Sequence, residues 1–166
     1  MCFNEGTKIL CFRPIPEYNE EYIPIEDLRE GDLVKTHRHG YRRVAMIGKG
    51  NMKNDIQNVW ESMYIHGDLI ITGGHGILCD KLTLAEYNNL TRIYNGNINK
   101  IEDKYVVFAN QSHMFSQINN SGHFTYYHLA LESDGDDYKR FGIWANGVLA
   151  ETTTIHHFIQ NKYTPL

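Results

Sequence analysis

Two stretches of the sequence hold side chains of types that could do chemistry. Cys2 lies in the opening stretch MCFNEGTKIL, and Thr72 and His75 belong to the block Thr72-Gly-Gly-His75, between two apolar segments. A cysteine thiolate is a competent nucleophile, and a histidine with an ordinary pKa of about 6.5 can donate or accept a proton. Each residue alone is a weak signal, because free cysteines are often buried structural residues and histidines in glycine-rich turns are usually structural. Cys2 is a candidate nucleophile and His75 a candidate acid.

The rest of the chain has the composition of a protein built from short strands that could position these residues. It contains 11 Tyr and 7 Phe, and apolar segments rich in Ile, Val and Thr alternate with turn-forming residues. The turns recur about every 8 to 15 residues, which is typical of an all-β domain. The predicted strands cover residues 7–12, 22–25, 32–36, 41–47, 60–64, 69–72, 76–79, 105–109, 124–132, 140–145 and 148–150.

Three further local features are predicted. A helix is expected over residues 83–90, because Leu84, Tyr87 and Leu90 recur at helical spacing. Asn146-Gly147 is expected to form a type I′ turn between two strands, since both central positions of that turn need a positive φ. The polar segment 110–123 is expected to be a long loop or a poorly ordered insertion.

The composition limits the number of domains and the kinds of partner. A chain of 166 residues with 42% apolar residues can close one hydrophobic core. We therefore expect one domain over residues 1–152 and a C-terminal tail or short docking element over residues 153–166. The formal charge of -4 arises from 16 basic and 20 acidic residues, and the basic residues form no cluster that could neutralise phosphates. No nucleic acid is predicted as a partner.

Hydropathy gives no sign of a membrane segment. No stretch approaches the roughly 20 consecutive apolar residues of a membrane span, and no charged and then apolar leader precedes Cys2. We therefore expect a soluble, monomeric chain in the cytoplasm, with no membrane partner.

The cysteines and histidines lack the spacing of a disulfide framework or a zinc site. The three cysteines are odd in number, far apart and in no C-x-x-C arrangement. Two pairs of histidines stand close in sequence: His37 with His39, and His156 with His157. Neither pair has a third ligand at zinc-finger spacing, so we predict that these side chains are solvated. No metal ion or other cofactor is predicted.

Five stretches of the chain together form a pattern more specific than any one of them. In chain order they are Cys2-Phe3-x-x-Gly6-Thr7-x-Ile9, Ile25-Glu-Asp-Leu-x-x-Gly-Asp-Leu-Val34, Leu69-Ile-Ile-Thr-Gly-Gly-His-Gly-Ile-Leu78, Tyr127-His128-Leu129-Ala-Leu131 and Ala145-Asn-Gly-Val-Leu-Ala150. Together they resemble the Hint family, the fold of Hedgehog autoprocessing domains and inteins, over roughly residues 2–152. The Thr-Gly-Gly-His block and the closing Trp-Ala-Asn-Gly are most similar to stand-alone Hint domains of bacterial and large-virus proteins.

The resemblance implies a fold and a reaction. The fold would be all-β, a compact pseudo-two-fold arrangement of long curved antiparallel hairpins with at most one or two short helices. Cys2 would attack the carbonyl of the preceding residue and convert that peptide bond into a thioester, an N-to-S acyl shift. His75 would protonate the departing amide nitrogen, Thr72 would orient the scissile bond or stabilise the tetrahedral oxygen, and His128 would assist a proton transfer.

The implied partner is an upstream polypeptide in cis. It would be released in a single turnover when the thioester passes to water, a thiol, an amine or a hydroxyl. If Cys2, His75 and His128 converge, they could also bind zinc, as an inhibitor rather than a cofactor. Because Cys2 aligns with the family's nucleophile, we expect that Met1 takes the place of a longer upstream polypeptide in the precursor.

The chain departs from its relatives after Ala150. Intein splicing needs a final Asn, usually after His, followed by Cys, Ser or Thr, whereas this chain reads Glu151-Thr-Thr-Thr154. Full protein splicing is therefore not supported. Thr152 to Thr154 could supply an acceptor hydroxyl, although threonines near a strand end are usually just exposed residues. Sterol transfer is not supported either, because the matching hairpin, residues 44–50, has no acidic residue.

Two other interpretations stay open. A Hint-fold module that has lost processing could serve as a structural or protein-binding domain, and an unrelated β-sandwich could carry the five stretches by coincidence. The presence of Cys2, Thr72 and His75 in one chain favours self-processing.

Overall fold

The computed structural model describes residues 1–15, 18–161 and 164–165, and these residues are mostly β-structure. The strands are β1 (Phe3–Asn4), β2 (Lys8–Ile15), β3 (Tyr18–Pro24), β4 (Leu33–Lys35), β5 (Tyr41–Lys53), β6 (Met63–His66), β7 (Leu69–Thr72), β8 (Gly76–Cys79), β9 (Lys100–Ile101), β10 (Lys104–Phe108), β11 (Ser116–Gln117), β12 (His123–Leu131), β13 (Gly142–Ala145), β14 (Val148–Glu151) and β15 (Thr164–Pro165). The helices are α1 (Leu84–Ile93) and α2 (Ile155–Asn161), and Ile25–Asp27 forms a turn of 3-10 helix.

The strands pair antiparallel along one continuous path. Its order is β11-β6-β7-β1-β12-β5-β4-β2-β13-β14-β8-β10-β9, with β3 added to β2 and β15 added to β5. The pairing of β12 with β5 is the longest, from His123 opposite Lys53 to Leu131 opposite Val44. The predicted all-β class is confirmed.

The chain start is held between two strands rather than left to fray. In β1, Phe3 pairs with Ile71 of β7 on one side and with Tyr127 of β12 on the other. Because both pairings are antiparallel, the residue before Phe3 faces the residues after Ile71 and after Tyr127. The register alone therefore brings Cys2 beside Thr72 and His128.

Apolar burial holds this register. Phe3 and Tyr127 are 2% exposed and Ile71 is fully buried, all within the main hydrophobic core. Burying a side chain of this size contributes about 1.5–3 kcal/mol relative to leaving it in water. A slip of β1 by one residue would expose Phe3 and bury Cys2 and Asn4 in its place.

The predicted strands over 69–72 and 76–79 are confirmed with the same bounds, and the predicted turn at Asn146-Gly147 has φ of 46° and 80° at its two positions. The strand predicted over 60–64 is shifted, because β6 begins only at Met63 and continues to His66.

The prediction that a strand ends at Ile47 is wrong. Strand β5 continues through two glycines to Lys53, with Gly48 opposite His128 and Gly50 opposite Tyr126. A side chain at Gly50 would collide with the Tyr126 ring, which lies across the backbone there. Gly50 therefore makes room for Tyr126 on β12, and neither glycine ends the strand.

The predicted helix is confirmed as α1, which begins after Thr83 with a capping box. The Thr83 hydroxyl accepts from the Glu86 backbone, and the Glu86 carboxylate accepts from the Thr83 backbone. Of the three apolar residues that predicted the helix, Leu90 is buried, but Leu84 is 77% and Tyr87 51% exposed.

Segment 110–123 is an ordered loop that contains β11, paired with β6. The Asn54 amide donates to the carbonyls of Ile118 and Asn120 and holds the loop in place. The segment predicted as a tail or docking element, 153–166, contains α2, whose Phe158 is buried. Neither α-helix in the described ranges has the length and apolar content needed to cross a bilayer.

Candidate active site

Cys2 and Thr72 form a reciprocal pair of hydrogen bonds. The backbone N–H of Cys2 donates to the Thr72 hydroxyl oxygen over 3.0 Å, and the backbone N–H of Thr72 donates to the Cys2 carbonyl over 3.1 Å. The nitrogen of the Met1–Cys2 peptide is therefore held by a side chain that is itself 3% exposed. The Thr72 hydroxyl contacts the nitrogen of the Met1–Cys2 peptide bond and not its carbonyl oxygen. Of the two predicted roles of Thr72, this contact fits orientation of the scissile bond rather than stabilisation of the tetrahedral oxygen.

His128 lies on the other side of Cys2. Its Nε2 is 3.5 Å from Cys2 Sγ, and its ring also makes a hydrogen bond to the backbone of Met1. Burial lowers the pKa of His128 to about 3, assisted by the Met1 ammonium and by His157 and His75, while the hydrogen bond to Met1 opposes the shift. A neutral imidazole thus stands beside the thiol and the peptide bond that precedes it.

The Cys2 thiol is also held in its neutral form. Burial raises its pKa above the ordinary value, and the Met1 ammonium and a hydrogen bond with Thr72 only partly oppose this. A neutral thiol next to a neutral imidazole can transfer its proton as the sulfur attacks, without a preformed thiolate.

His75 sits between two backbone carbonyls. Its Nδ1 is 3.2 Å from the Cys2 oxygen, and its Nε2 is 2.9 Å from the Glu151 oxygen. A neutral imidazole carries one ring proton and can donate to one of these acceptors, whereas the protonated ring can donate to both. Burial and the Met1 ammonium lower the pKa of His75 to about 3, against the two carbonyls, which raise it. The contact is to the Cys2 carbonyl, one peptide downstream of the bond that His75 is predicted to act on.

Glu151 faces His75 with its backbone carbonyl and places its buried carboxylate against the next residue, Gly76. The Glu151 carboxylate is fully buried, accepts from the Gly76 N–H over 2.9 Å, and pairs with Arg140 over 2.7 Å. Burial raises the pKa of this carboxyl, while Arg140 lowers it. A Cβ at Gly76 would lie 2.6 Å from the carboxyl carbon, so position 76 has no room for a side chain. From the sequence, Glu151 stands out only as part of a missing splice junction.

The turn from Thr72 to His75 packs against the loop before β6. The N–H of Gly73 donates to Ser62 O over 2.8 Å, and the N–H of Gly74 donates to Trp60 O over 2.7 Å. A Cβ at Gly73 would overlap the carbonyl of Val59. Glycine therefore allows the close approach that points Thr72 and His75 toward the same cysteine.

An open cleft of about 400 Å³ leads to the thiol. It is lined on one side by Trp60 and Glu61, and on the other by His157 and Asn161 of α2. The His157 ring centre is 5.7 Å from that of His128, and burial lowers the pKa of His157. His157 was predicted to be a solvated residue. Its burial depends on the docking of α2, which local sequence does not reveal.

Several other sequence predictions have clear outcomes. Thr152 and Thr153 are not exposed: they are 0% and 3% exposed, and the Thr152 hydroxyl accepts from the Phe141 N–H. The Thr154 hydroxyl accepts from the N–H of His157 at the start of α2. The hydroxyls of Thr152 and Thr154 thus have structural roles, which weighs against their use as acyl acceptors.

Outside the site, the cysteines are free thiols, whereas two histidines differ from the prediction that they are solvated. All three cysteines are free thiols, Cys11 buried and Cys79 half-buried. In the described part of the chain, Cys2, His75 and His128 converge but do not form a group with ligand atoms close enough to share a metal ion. The prediction that His37 and His39 are solvated is wrong, because their side chains are 19% and 30% exposed and lie against carboxylates.

The chain was also compared with known proteins and solved structures. No protein-family model matches the chain, and no curated protein matches it. Among solved structures, the chain is similar to the crystal structure of the gp41-1 intein, with a TM-score of 0.41 and 16% identity, covering 90% of this chain and 96% of that chain. Similarity at this level identifies no reaction, so the geometry of the site has to carry the functional assignment.

Proposed function

We propose that the chain is a Hint-type self-processing domain that cleaves the peptide bond before Cys2 by an N-to-S acyl shift. The observation that carries the proposal is the convergence on one peptide. Thr72 accepts from the Cys2 nitrogen, while His128 contacts both Cys2 Sγ and the backbone of Met1. Two side chains from distant parts of the sequence, Thr72 and His128, thus lie against the nucleophile and the bond it would attack.

In the first step, Cys2 Sγ attacks the carbonyl carbon of the preceding residue. A bond forms between sulfur and carbon, the carbonyl electron pair moves to oxygen, and the thiol proton passes to His128 Nε2, 3.5 Å away. Burial is the main cause of the low pKa of His128, and the Met1 ammonium adds to it; in a precursor, a peptide bond replaces the ammonium and that second cause is removed. His128 is then a stronger base than in the chain with a free amino terminus.

In the second step, the bond between that carbon and the Cys2 nitrogen breaks. The nitrogen leaves as an amine and must gain a proton. The donor that holds one is His128, which took up the thiol proton in the first step. His75, whose Nδ1 lies 3.2 Å from the carbonyl of the same residue, is neutral in the folded chain and must itself be protonated before it can serve as the predicted acid. Thr72 holds the leaving nitrogen in place throughout.

The product is a thioester between the upstream polypeptide and Cys2. Water, a thiol, an amine or a hydroxyl from solution can enter the cleft beside Trp60 and Glu61, attack the thioester carbon and expel the Cys2 sulfur, which takes up a proton. The upstream polypeptide leaves with the acceptor attached. The reaction needs no cofactor and turns over once for each chain.

The test is a fusion in which a reporter protein is joined directly to Cys2 in place of Met1. We expect slow cleavage in buffer and fast cleavage when dithiothreitol or hydroxylamine is added, because either reagent attacks a thioester. Cys2→Ala should abolish cleavage, and the matched variant Cys79→Ala, which removes another half-buried thiol, should not.

A processing-inactive module would give a different result. The fusion would stay intact over days with both reagents, and Cys2→Ala would behave like the parent. That outcome, in a fusion whose thermal unfolding is unchanged, would overturn the proposed function.

A further inference from the structure

A second cluster of titratable side chains lies away from Cys2. His37, in the loop between β4 and β5, meets Glu102 and Asp103, which form the two-residue turn between β9 and β10. Potential ligand atoms of these three side chains all lie within 4.8 Å of one another. The Nε2 of a second histidine, His39, is 3.1 Å from Glu102 Oε1.

The Glu102 carboxylate is the unusual member of this cluster. Its side chain is 12% exposed, both of its oxygens are buried, and neither receives a hydrogen bond from a described residue. Even the close approach of His39 lacks hydrogen-bond geometry, and the buried Nε2 of His37 is likewise without a hydrogen bond. A buried carboxylate without donors is costly, so its environment points to a positive group that binds both oxygens.

Two rigid parts of the fold hold the cluster together. The His37 N–H donates to Gly142 O over 2.8 Å, and the neighbouring Thr36 forms a bridge to Ile143 in the core. On the other side, Glu102 and Asp103 close a hairpin whose strand β10 pairs along its length with β8. The ligand atoms are therefore presented by backbone that is already ordered.

Asp103 can serve an ion without losing its existing partner. Its Oδ2 lies 2.6 Å from Arg38 Nη2, whereas its Oδ1 faces His37 Nε2 over 3.4 Å. One oxygen can therefore bind an ion while the other stays hydrogen-bonded to the guanidinium, which is a common arrangement of ligands and their outer partners.

We propose that His37, Glu102 and Asp103 bind a divalent transition-metal ion of the zinc class, with His39 as a fourth ligand or as an outer partner of Glu102. Imidazole nitrogen favours zinc and its neighbours over calcium or magnesium, and carboxylates complete such sites. An ion held by these residues would link the β4–β5 loop to the β9–β10 hairpin. The site is separate from Cys2 and does not depend on the proposed processing.

The test measures zinc and cobalt binding to the full chain carrying Cys2→Ala, which removes the thiol of the other candidate ligand group. Calorimetry should give one zinc ion per chain, and calcium should not compete. Cobalt should give visible absorption bands without the near-ultraviolet band of a cobalt–thiolate bond, because the ligands are nitrogen and oxygen.

Variants then locate the ion. His37→Asn and Glu102→Gln should each weaken zinc binding by at least about tenfold, because loss of even an outer partner of a metal ligand has that effect. His156→Asn, on α2, is the matched control and should leave zinc binding unchanged. If a variant fails to fold, Asp103→Asn replaces it, and zinc should raise the unfolding temperature of the parent but not of that variant.

Three results would overturn the proposal. These are no zinc binding by the Cys2→Ala chain, zinc binding that calcium displaces, or zinc binding that is the same in the parent and in folded His37→Asn and Glu102→Gln variants.

Discussion

The backbone N–H of Cys2 donates to the hydroxyl oxygen of Thr72, and the backbone N–H of Thr72 donates back to the carbonyl of Cys2. This pair joins the first residues of the chain to the end of β7, 70 residues away. It turns a segment that would ordinarily fray into a fixed part of a site. The Thr72 hydroxyl accepts from the Cys2 nitrogen, which is the atom that must leave if the chain cleaves itself.

Removing the Thr72 hydroxyl should slow cleavage more than it weakens the fold. In the reporter fusion, Thr72→Val keeps the shape but loses the acceptor for the Cys2 N–H, and we expect cleavage to slow by roughly tenfold or more, equivalent to about 1.4 kcal/mol or more in the barrier. Thr72→Ser should restore most of the rate. Thr125→Val, which removes a hydroxyl bonded to Asn51 on the same sheet, should have little effect. Equal rates for the Val and Ser variants would argue against this role.

His128 should matter for the rate because of its position beside the thiol. His128→Asn should slow thioester formation by about 100-fold or more, the usual contribution of a positioned base. His123→Asn changes an exposed histidine at the start of the same strand and serves as the control. Gel analysis of dithiothreitol-induced cleavage measures both. A His128 variant that folds and cleaves at the parent rate would remove His128 from the mechanism.

Stability should depend on pH through the same histidine. The pKa of His128 in the folded chain, about 3, lies below its ordinary value of 6.5, so the unfolded chain binds more protons between these values. The stability that the neutral His128 ring contributes is therefore fully present above about pH 6.5 and is lost as the pH falls toward 3. At about pH 5.5 the loss due to one such histidine is about 1.4 kcal/mol.

Urea unfolding at about pH 7.5 and 5.5 measures this difference. Replacing His128 by Asn should reduce the pH-dependent loss by about 1.4 kcal/mol, whatever it does to stability at neutral pH. The exposed His123→Asn variant should keep the parent's pH dependence. An unchanged pH dependence in His128→Asn would mean that the ring is not buried in its neutral form.

Glu151 should contribute to stability through its buried ion pair. Glu151→Gln keeps an acceptor for the Gly76 N–H but leaves Arg140 without its charged partner. We expect a loss of about 1–3 kcal/mol in the free energy of unfolding, because Arg140 is 30% exposed and water can partly replace the carboxylate. Asp134→Asn breaks the mostly exposed pair with Arg42 and should cost clearly less than Glu151→Gln. Similar losses in both variants would contradict the buried role of Glu151.

Much of the secondary structure was predictable because its signals are local. Strands β7 and β8 have the predicted bounds, since apolar runs flank two glycines, and α1 begins directly after Thr83, which forms its capping box. The error at Gly48–Gly50 arose because a glycine can end a strand or make room for a neighbour. Only the pairing with Tyr126 decides between these.

The candidate site was predictable only in part. The order of the motifs, through the resemblance, placed Cys2, Thr72, His75 and His128 in one candidate set. The contact between His75 and Glu151 was not predictable. Glu151 is the last residue of β14, and the burial of its carboxylate depends on Arg140 and Gly76. The cluster around His37 was missed for the same reason, since its carboxylates come from a turn about 65 residues further along the chain.

The most direct measurement of the central claim is the mass of the upstream polypeptide released from the reporter fusion in hydroxylamine. The account predicts a hydroxamate at its new C-terminus, formed when hydroxylamine attacks a thioester on Cys2, and no release from Cys2→Ala. An intact fusion, or release that persists in Cys2→Ala, would contradict it.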